Sequence, residues 1–372
     1  MKAIGIILAG GNNNRMKELT AKRAVPALPV AGSFRSIDFA LSSMSNSHIQ
    51  TVAVLTQYNA RSLNEHLSSS KWWNFGRKQG GLFLFTPTVT ADNSDWYRGT
   101  ADAMYPNIDF LKRRHEPYVI ISSGDCVYKL DFNRVLDFHI EKKSDITVVC
   151  KDMMYNDDVS RFGVVRMDDE SRITEFDEKP IEALSNTIST GIYVIRRRQL
   201  IELLEAAAEE NRFDFVNDIL VRYKNVKKIY GYKINSYWNN IADIDAYFKT
   251  NMDFLRPDVR SYFFREEPTI CSKVDDLPPA KFNPGSDISN SLVSSGCIIN
   301  GSVEDSVLFK QVFVGKNTTV KNCVILNDVY IGDNVHLENC IVESRGTINP
   351  NTCYCGEDGV MIVKEKNVRY VI

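Results

Sequence analysis

Residues 3–11 read AIGIILAGG, an apolar run that ends in two consecutive glycines, and this stretch decides the fold of the first part of the chain. The run is too short for a signal peptide, has no small-residue cleavage pattern and leads straight into the glycine turn. It therefore predicts a buried first strand. Glycines directly after such a strand let the backbone approach a phosphate, because successive N–H groups can form an anion nest. A tight strand-to-helix connection explains the same glycines, so the turn alone does not decide the function.

Short apolar runs alternate with helical patterns over residues 1–255, which predicts an α/β domain. The predicted strands are Ala3–Leu8, Thr51–Leu55, Tyr118–Ser122, Ile146–Cys150, Gly163–Met167, Ile173–Phe176 and Gly191–Ile195. The predicted helices are Arg61–Leu67, Thr100–Arg114, Phe132–Lys142 and Gln199–Glu210. This alternation indicates a mixed, mainly parallel sheet covered on both faces, with a ligand crevice beyond the carboxyl ends of its strands.

The rest of the chain has a different character. Five prolines interrupt residues 256–290 and helical periodicity is lost there, which predicts a linker. Over residues 291–372 small aliphatic residues recur every five or six positions, at Leu292, Ile298, Val303, Leu308, Val314, Val320, Ile325, Ile331, Leu337, Val342 and Ile348. One inward aliphatic residue per six-residue step is typical of a left-handed parallel β-helix of hexapeptide turns. An antiparallel sandwich is the alternative, but the period-two alternation of such strands does not dominate.

The composition excludes several classes of protein. The chain has 372 residues, enough for two domains, and a formal net charge of −2, which argues against a nucleic-acid-binding protein. No apolar run approaches the ~18 residues that span a bilayer, so no membrane association is expected. The eight cysteines are scattered, with Cys353 and Cys355 close together, and no pair has the C-x-x-C spacing of a zinc site. We expect free, mostly buried thiols in a cytoplasmic protein.

Further motifs extend the glycine turn into a family resemblance. They are residues 19–29 (LTAKRAVPALP), 34–39 (FRSIDF), 54–58 (VLTQY), 96–103 (WYRGTADA), 124–128 (GDCVY), 175–180 (EFDEKP), 277–282 (LPPAKF) and 290–294 (NSLVS). In this order, and over essentially the whole chain, they are similar to the bacterial ADP-glucose pyrophosphorylase (glucose-1-phosphate adenylyltransferase) family. The resemblance implies a Rossmann-like nucleotidyltransferase domain followed by the β-helix, and a role in glycogen biosynthesis.

The reaction that the resemblance implies joins ATP and glucose 1-phosphate to give ADP-glucose and pyrophosphate. A sugar-phosphate oxygen attacks the α-phosphorus in line, so the protein needs no nucleophile of its own. The protein must position two polyanions and neutralise their charge, with Mg²⁺ as the expected cofactor when nucleotide binds. Such a site requires carboxylates for the metal, cations for the phosphates and hydrogen-bonding groups for the glucose.

The resemblance also implies roles for individual residues. Catalysis falls to Arg15 and Asp125, with Asp125 as a ligand of the metal. Nucleotide binding falls to Leu8, Gly10, Gly11, Gln57, Tyr97, Gly99 and Thr100, with Arg98 in the same segment. Glucose 1-phosphate binding falls to Glu178, Lys179, Ser189, Tyr193, Asp214 and Trp238, with Phe215 beside them. Trp96 fits either a nucleotide contact or core packing.

Three departures from the family pattern fall on the triphosphate and metal side of this site. Asn12 and Asn13 stand where the family has arginine and glycine, Val25 replaces a phosphate-clamping lysine, and Asn240 replaces the second metal carboxylate. A neutral amide binds Mg²⁺ much more weakly than a carboxylate does. This pattern resembles the GlgD-type subunit, a companion with weak or no catalysis of its own. Such a subunit forms a hetero-oligomer, which we expect to be a heterotetramer, with a GlgC-type catalytic subunit.

Three other functions stay open at this point. An active ADP-glucose pyrophosphorylase is favoured by the retained Arg15, Asp125 and Lys179. A sugar-phosphate sensor without a partner enzyme is not excluded by any feature of the sequence. A β-helix acyltransferase would need a basic residue in the coils, where His336 is the only histidine.

Overall fold

The computed structural model describes residues 2–11, 14–76, 80–88, 96–154 and 157–364, and its first part is an α/β domain. The strands of this part are β1 (Ala3–Ala9), β2 (Pro29–Val30), β3 (Phe34–Arg35), β4 (Thr51–Thr56), β5 (Gly81–Phe85), β6 (Tyr118–Ser123), β7 (Cys126–Tyr128), β8 (Ile146–Asp152), β9 (Gly163–Met167), β10 (Ile173–Glu178), β11 (Thr187–Arg196), β12 (Ile229–Lys233) and β13 (Trp238–Asn240). The main sheet has the order β10-β9-β11-β6-β1-β4-β5, and β8 and β12 extend it from β11.

The centre of this sheet is parallel. β1 lies between β4 and β6, with Leu8 opposite Leu55 on one side and Ser123 on the other. β11 runs antiparallel to β6, β8 and β9, which makes the sheet mixed. Almost every side chain of β1 and β4 is buried, as expected for strands with helices on both faces. The prediction of a mixed, mainly parallel sheet is confirmed.

The helices of this part include three that the sequence pattern did not predict, and one predicted helix that is divided in two. The helices are α1 (Ser36–Asn46), α2 (Arg61–Leu67), α3 (Thr100–Met104), α4 (Ile108–Lys112), α5 (Phe132–Glu141), α6 (Arg197–Glu209), α7 (Ile244–Asp253) and α8 (Pro257–Phe264). The three that were not predicted are α1, α7 and α8. The helix expected over 100–114 is divided into α3 and α4 by a 3₁₀ turn that contains Pro106, because proline cannot continue the hydrogen-bond ladder. Within the described ranges, no helix has the length and apolar character required to cross a membrane.

The second part of the chain is a parallel β-helix. Its strands are β14 (Lys281–Phe282), β15 (Asp287–Ser289), β16 (Leu292–Val293), β17 (Ile298–Ile299), β18 (Ser302–Glu304), β19 (Val307–Leu308), β20 (Phe313–Val314), β21 (Thr319–Lys321), β22 (Val324–Ile325), β23 (Tyr330–Ile331), β24 (His336–Glu338), β25 (Cys340–Val342), β26 (Thr347–Ile348), β27 (Cys353–Cys355) and β28 (Met361–Val363). They form three parallel sheets of five strands each, one for each face of the coil. The β-helix prediction is confirmed.

The corners of the coils are set by residues with positive φ. Asn322 and Asn339 occupy equivalent corners of successive coils, 17 residues apart, with φ of 48° and 53°. Asn317 and Asn334 do the same at another corner, with φ of 54° and 57°. Asparagine tolerates this left-handed region better than most residues, which explains the recurrent Asn between the aliphatic positions. Their side-chain amides also hydrogen-bond from coil to coil.

The segment expected to be a linker, residues 256–290, contains regular structure. Pro257 lies in the first turn of α8, where its fixed φ suits the start of a helix. β14 and β15 already pair with β17 and β18, so the first coil begins before residue 291. β14 and β15 are only two and three residues long, so they contain too few aliphatic residues to reveal the repeat in the sequence of the first coil.

One face of the β-helix packs against the first domain. Val307, Val324 and Ile341 alternate with the residues that fill the coil interior, yet they are also fully buried. They belong to a hydrophobic cluster with Tyr247 and Phe254, which lie in and directly after α7. Because this cluster joins the two domains, its side chains stabilise the whole chain rather than one domain.

We predict that replacing Phe309 with alanine lowers the free energy of unfolding by about 3 kcal/mol or more, since a buried phenylalanine is lost from this cluster. Phe313→Ala is the matched control, because Phe313 lies on another face of the same coil, where it stacks on Tyr330 and is only partly buried. Urea unfolding of the two variants measures the difference. Equal losses would mean that the inter-domain cluster does not carry this stability.

Candidate functional site

A cleft of about 500 Å³ lies at the carboxyl ends of β1, β4 and β6, where a parallel sheet is expected to bind its ligand. Its lining includes ten residues that the sequence analysis associates with the substrates or the metal: Leu8, Gly10, Gly11, Gln57, Tyr97, Arg98, Gly99, Thr100, Asp125 and Asp214. Every residue predicted to bind nucleotide is in this set. The structure brings these residues together, while their individual roles stay predictions.

The turn after β1 approaches β4 closely. A Cβ atom at Gly10 would lie 3.1 Å from the Cβ of Gln57, so a larger residue would push the turn away from the sheet. The Gln57 amide in turn holds the far wall of the cleft, because it accepts a hydrogen bond from the Tyr97 backbone N–H at 2.9 Å and donates to the Tyr97 carbonyl oxygen at 3.3 Å. The sequence pattern of glycines and Gln57 therefore fixes the width of the cleft at this point.

The start of α3 is held against residues 213–215. The Phe213 carbonyl oxygen accepts hydrogen bonds from the N–H groups of Ala101 and Asp102, and the Thr100 hydroxyl accepts from the Phe215 N–H at 2.8 Å. Gly99 is required at this contact, since a Cβ there would lie 2.3 Å from the Phe213 oxygen. Through this contact Asp214, predicted to bind sugar, reaches the cleft that holds the predicted nucleotide residues.

Asp125 and Asn240 are brought together by a small two-stranded sheet. β7 pairs with β13 antiparallel, with Cys126 opposite Asn240, and the Asp125 carbonyl oxygen accepts a hydrogen bond from the Ile241 N–H. The Asp125 carboxylate accepts a hydrogen bond from the Ser123 hydroxyl at 2.5 Å. This pairing puts the two positions that the resemblance associates with the metal next to each other, and Asp125 of the pair lines the cleft.

The orientation of the Asn240 amide is fixed by its two contacts. Its Oδ1 accepts a hydrogen bond from the Ala242 backbone N–H at 3.0 Å, and its Nδ2 donates to the Cys126 sulfur at 3.4 Å. The oxygen is therefore used within the backbone turn, and the group turned toward β7 is an NH₂ donor. Mg²⁺ requires oxygen ligands, so the described residues do not fit a magnesium centre held by two carboxylates. Asp125 is the one carboxylate at this pair of positions.

The cations expected around the phosphates are reduced in number. Val25 lines the cleft and is also buried in the hydrophobic cluster between the domains, so the wall is apolar at the position where the resemblance implies a lysine. Arg15 is exposed and lies outside the cleft lining in the part of the chain that is described. Its charge contributes to the lowered pKa of Asp158, after the hydrogen bonds from Ser160 and the charge of Arg161. The departure at Asn12 and Asn13 falls outside the described residues.

The residues predicted to bind glucose 1-phosphate are not brought together as one set: Asp214 lines the cleft, whereas Tyr193 and Trp238 belong to different hydrophobic clusters. Glu178, Lys179, Ser189, Tyr193 and Trp238 lie outside the lining of the cleft as described. The Glu178 carboxylate pairs with Lys179 at 3.2 Å, and the Ser189 hydroxyl donates to the Tyr193 hydroxyl at 3.3 Å. Burial raises the pKa of Glu178, the Lys179 charge opposes this shift, and the Asp214 charge adds to it. Asp214 therefore lines the cleft and also acts through its charge on Glu178, which lies outside the lining.

Two aromatic residues, Tyr58 and Trp96, form a stacked pair at the cleft. Trp96 is 57% exposed, so it is not a core residue, and it stacks on Tyr58 with ring centroids 5.2 Å apart and planes 7° apart. Tyr58 lines the cleft beside Gln57, but the sequence analysis gave it no role. Its position directly after the predicted residue Gln57 was the available signal. An exposed stacked pair offers a flat apolar surface for a planar ring.

Comparisons with known proteins agree with this architecture. Residues 4–256 match the nucleotidyl transferase family, and residues 278–362 match the GlmU-like C-terminal hexapeptide family. The first match covers most of the chain and includes the cleft. Fold and cleft together therefore define a nucleotidyltransferase as the class of protein.

Relatives of known name narrow the class. The chain is 38% identical to a glucose-1-phosphate adenylyltransferase of Clostridium novyi (strain NT) over 85% of this chain and 84% of the relative. It is 39% identical to the glucose-1-phosphate adenylyltransferase of Geobacillus stearothermophilus over 97% of this chain and 94% of the relative. The protein of the same name from Pseudothermotoga lettingae is 39% identical over 86% of this chain and 76% of the relative. The chain belongs to the glucose-1-phosphate adenylyltransferase family.

We predict that Gly99→Ala lowers the free energy of unfolding by about 1–3 kcal/mol, because the new Cβ would overlap the Phe213 carbonyl oxygen and push α3 from its position. Gly11→Ala is the matched control, since Gly11 lines the same cleft and its Cβ would meet nothing within 4 Å. Thermal unfolding compares the two variants. A Gly99→Ala protein as stable as Gly11→Ala would contradict the close contact.

We predict that Glu178→Gln raises the melting temperature near pH ~7. The folded pKa of Glu178 lies above its ordinary value of 4.5, so stability falls as pH rises from the ordinary value through the folded one. The difference between variant and parent should therefore disappear below about pH 4. Melting temperatures over this pH range provide the measurement.

Glu210→Gln is a control of opposite sign for this prediction. Hydrogen bonds from Arg222 and Arg212 lower the pKa of Glu210 to about 2, so its stabilising effect is present above the ordinary value and lost as pH falls through about 2. The effect should be small, because the group is exposed and water screens it. Destabilisation by Glu178→Gln near pH ~7 would contradict a carboxylate that opposes folding.

Proposed function

We propose that this chain is a GlgD-type regulatory subunit of a glucose-1-phosphate adenylyltransferase, with weak or no turnover of its own. The Asn240 amide carries this proposal, because its oxygen accepts from Ala242 and its NH₂ group faces Cys126, next to Asp125. An NH₂ donor at that position repels a metal cation, whereas a carboxylate would bind one. The change falls where the reaction needs negative charge for its metal.

The missing phosphate clamp supports the same proposal. Transfer of the adenylyl group leaves little covalent chemistry to the protein, so its contribution is positioning and charge stabilisation. Val25 contributes neither a charge nor a hydrogen bond to the cleft wall. Losing one preorganised electrostatic contact often costs ~10²–10³ in rate, although such losses do not add. Val25 and Asn240 together account for slow turnover without any change of fold.

The cleft itself remains suited to binding. Its nucleotide side has the close glycine turn, the Gln57–Tyr97 contact and the exposed Tyr58–Trp96 stack. For the sugar, Asp214 lines the cleft, and the partly buried Glu178 carboxylate, whose pKa responds to the Asp214 charge, lies outside the lining. ATP and glucose 1-phosphate therefore remain the proposed ligands. Mg²⁺ would bind together with the nucleotide, and of the Asp125–Asn240 pair Asp125 alone would offer it a carboxylate ligand.

The proposed partner is a GlgC-type catalytic subunit, in a heterotetramer. The β-helix has an outward apolar ladder, in which Phe313 stacks on Tyr330 at 4.7 Å and Ile298 on the preceding coil is 39% exposed. Partly exposed apolar side chains in a row are typical of surfaces that associate with another protein. This ladder supports a partner without identifying it.

We predict that the purified chain releases pyrophosphate from ATP and glucose 1-phosphate slowly or not at all, and changes the rate or substrate affinity of the catalytic subunit when the two are mixed. Introducing Val25→Lys together with Asn240→Asp should raise turnover of the isolated chain by at least about 10-fold, because both changes return charge to the reacting phosphates. Pyrophosphate release with Mg²⁺ measures both effects.

Asn349→Asp is the matched control for the Asn240→Asp half of this variant, since it makes the same substitution at an exposed position of the β-helix. Robust turnover by the unmodified chain would overturn the proposal and favour an active ADP-glucose pyrophosphorylase. Glucose 1-phosphate binding with no effect on the catalytic subunit would instead favour a sugar-phosphate sensor. The double variant separates a merely inactive preparation from a site that lacks the two charges.

A further inference from the structure

Two neighbouring coils of the β-helix bring four potential metal ligands onto one outer face. β24 and β27 pair in parallel register, with His336 opposite Cys353 and Glu338 opposite Cys355. The residues between them, Leu337 and Tyr354, pack with the coil interior. Because side chains alternate along a strand, His336, Glu338, Cys353 and Cys355 all point outward on the same face. The 17-residue coil thus joins a His-x-Glu and a Cys-x-Cys segment that are distant in sequence.

The ligand atoms are already close together. One nitrogen of His336, a carboxylate oxygen of Glu338 and the sulfur of Cys355 lie within 4.8 Å of one another. The His336 Nε2 and Glu338 Oε2 are 3.6 Å apart, and the sulfurs of Cys353 and Cys355 are 3.6 Å apart. In a tetrahedral zinc site, bond lengths of about 2.0–2.3 Å separate neighbouring ligand atoms by about 3.3–3.8 Å. The spacing of both pairs fits the edges of such a tetrahedron.

The face that carries these side chains is open. The β-helix packs against the first domain through a different sheet, and the apolar ladder lies on the third. His336 and Glu338 side chains are 43% and 40% exposed, and Cys353 is exposed. On the preceding coil Lys321 lies in register with Glu338, but its ammonium group pairs with Glu304 at 3.6 Å. An ion from solvent therefore reaches His336, Glu338 and Cys355 without rearrangement of the fold, and the Cys353 sulfur, 3.6 Å from that of Cys355, completes the set by a change of its own side chain.

We propose that His336, Glu338, Cys353 and Cys355 form a binding site for a transition-metal cation, with zinc as the ion that fits best. A set of one nitrogen, one oxygen and two sulfurs suits a borderline-soft divalent ion and does not suit Mg²⁺, which selects oxygen alone. The two thiols lose their protons when the ion binds, so each metal–sulfur bond forms with release of a proton to solvent. The ion then links the last coil of this sheet to the coil before it.

Cobalt(II) is the probe that tests this site, because its absorption reports thiolate ligands and tetrahedral geometry directly. The full chain is purified without a polyhistidine tag, reduced, freed of metal and titrated with cobalt(II) and then with zinc. We expect one cobalt ion per chain, a sulfur-to-cobalt charge-transfer band and displacement of cobalt by zinc. Zinc should also raise the melting temperature, since a ligand that binds the folded state stabilises it. Neither readout depends on nucleotidyl transfer.

Two variants and a control decide the outcome. Cys355→Ser and His336→Ala should each weaken binding by at least about 100-fold, because even the loss of an outer-shell partner costs 10–100-fold. Cys271→Ser is the control, since Cys271 is an exposed free thiol outside the cluster. Binding that survives both variants, or that Cys271→Ser removes, would overturn the proposal. So would a chain that is denatured without reductant and shows two thiols fewer than the eight in the sequence, if reduction restores them, which would indicate a Cys353–Cys355 disulfide.

Discussion

The parallel pairing of β1 with β4 and β6 is the constraint on which the rest of the structure depends. Its register puts Leu8, Leu55 and Ser123 at the same level, so the chain leaves all three strands at one edge of the sheet. The glycine turn, Gln57 and Asp125 follow directly, which is why segments far apart in sequence line one cleft. A shift of one residue in this pairing would turn every buried side chain of β1 to the opposite face, so the apolar core and the cleft are specified together.

The fold does not require charged residues at positions 25 and 240. Val25 is part of the hydrophobic cluster between the domains, and Asn240 satisfies its hydrogen bonds within the chain. Neither residue leaves a buried polar group without a partner. Valine at position 25 and asparagine at position 240 are therefore compatible with this fold. The same fold can therefore accommodate different residues at these positions, and the function must be argued from the site itself.

The sequence predicted much of this architecture, and the gaps have physical causes. The strands around β1 are long, buried and apolar, and their pattern was visible along the chain. α1 was missed because its serines obscure the helical period, although Ser42 and Ser43 are buried and hydrogen-bond to backbone groups elsewhere. The nucleotide residues were predicted as one set because the family resemblance implies them, and the structure brings them together in one cleft. The placement of Glu178 outside the cleft lining, and the direction of the Asn240 amide, depend on backbone hydrogen bonds that no sequence pattern contains.

The fixed length of the β-helix coil has a consequence for changes in chain length. Asn317, Asn334 and Asn351 repeat the same corner at intervals of 17 residues, each with positive φ. Deleting one such interval removes a whole coil and leaves the later side chains on their original faces. A deletion of a few residues rotates every later coil, so that inward aliphatic residues meet water and surface residues meet the core. The domain therefore tolerates insertions and deletions in units of one coil, or in loops that leave the corners in place.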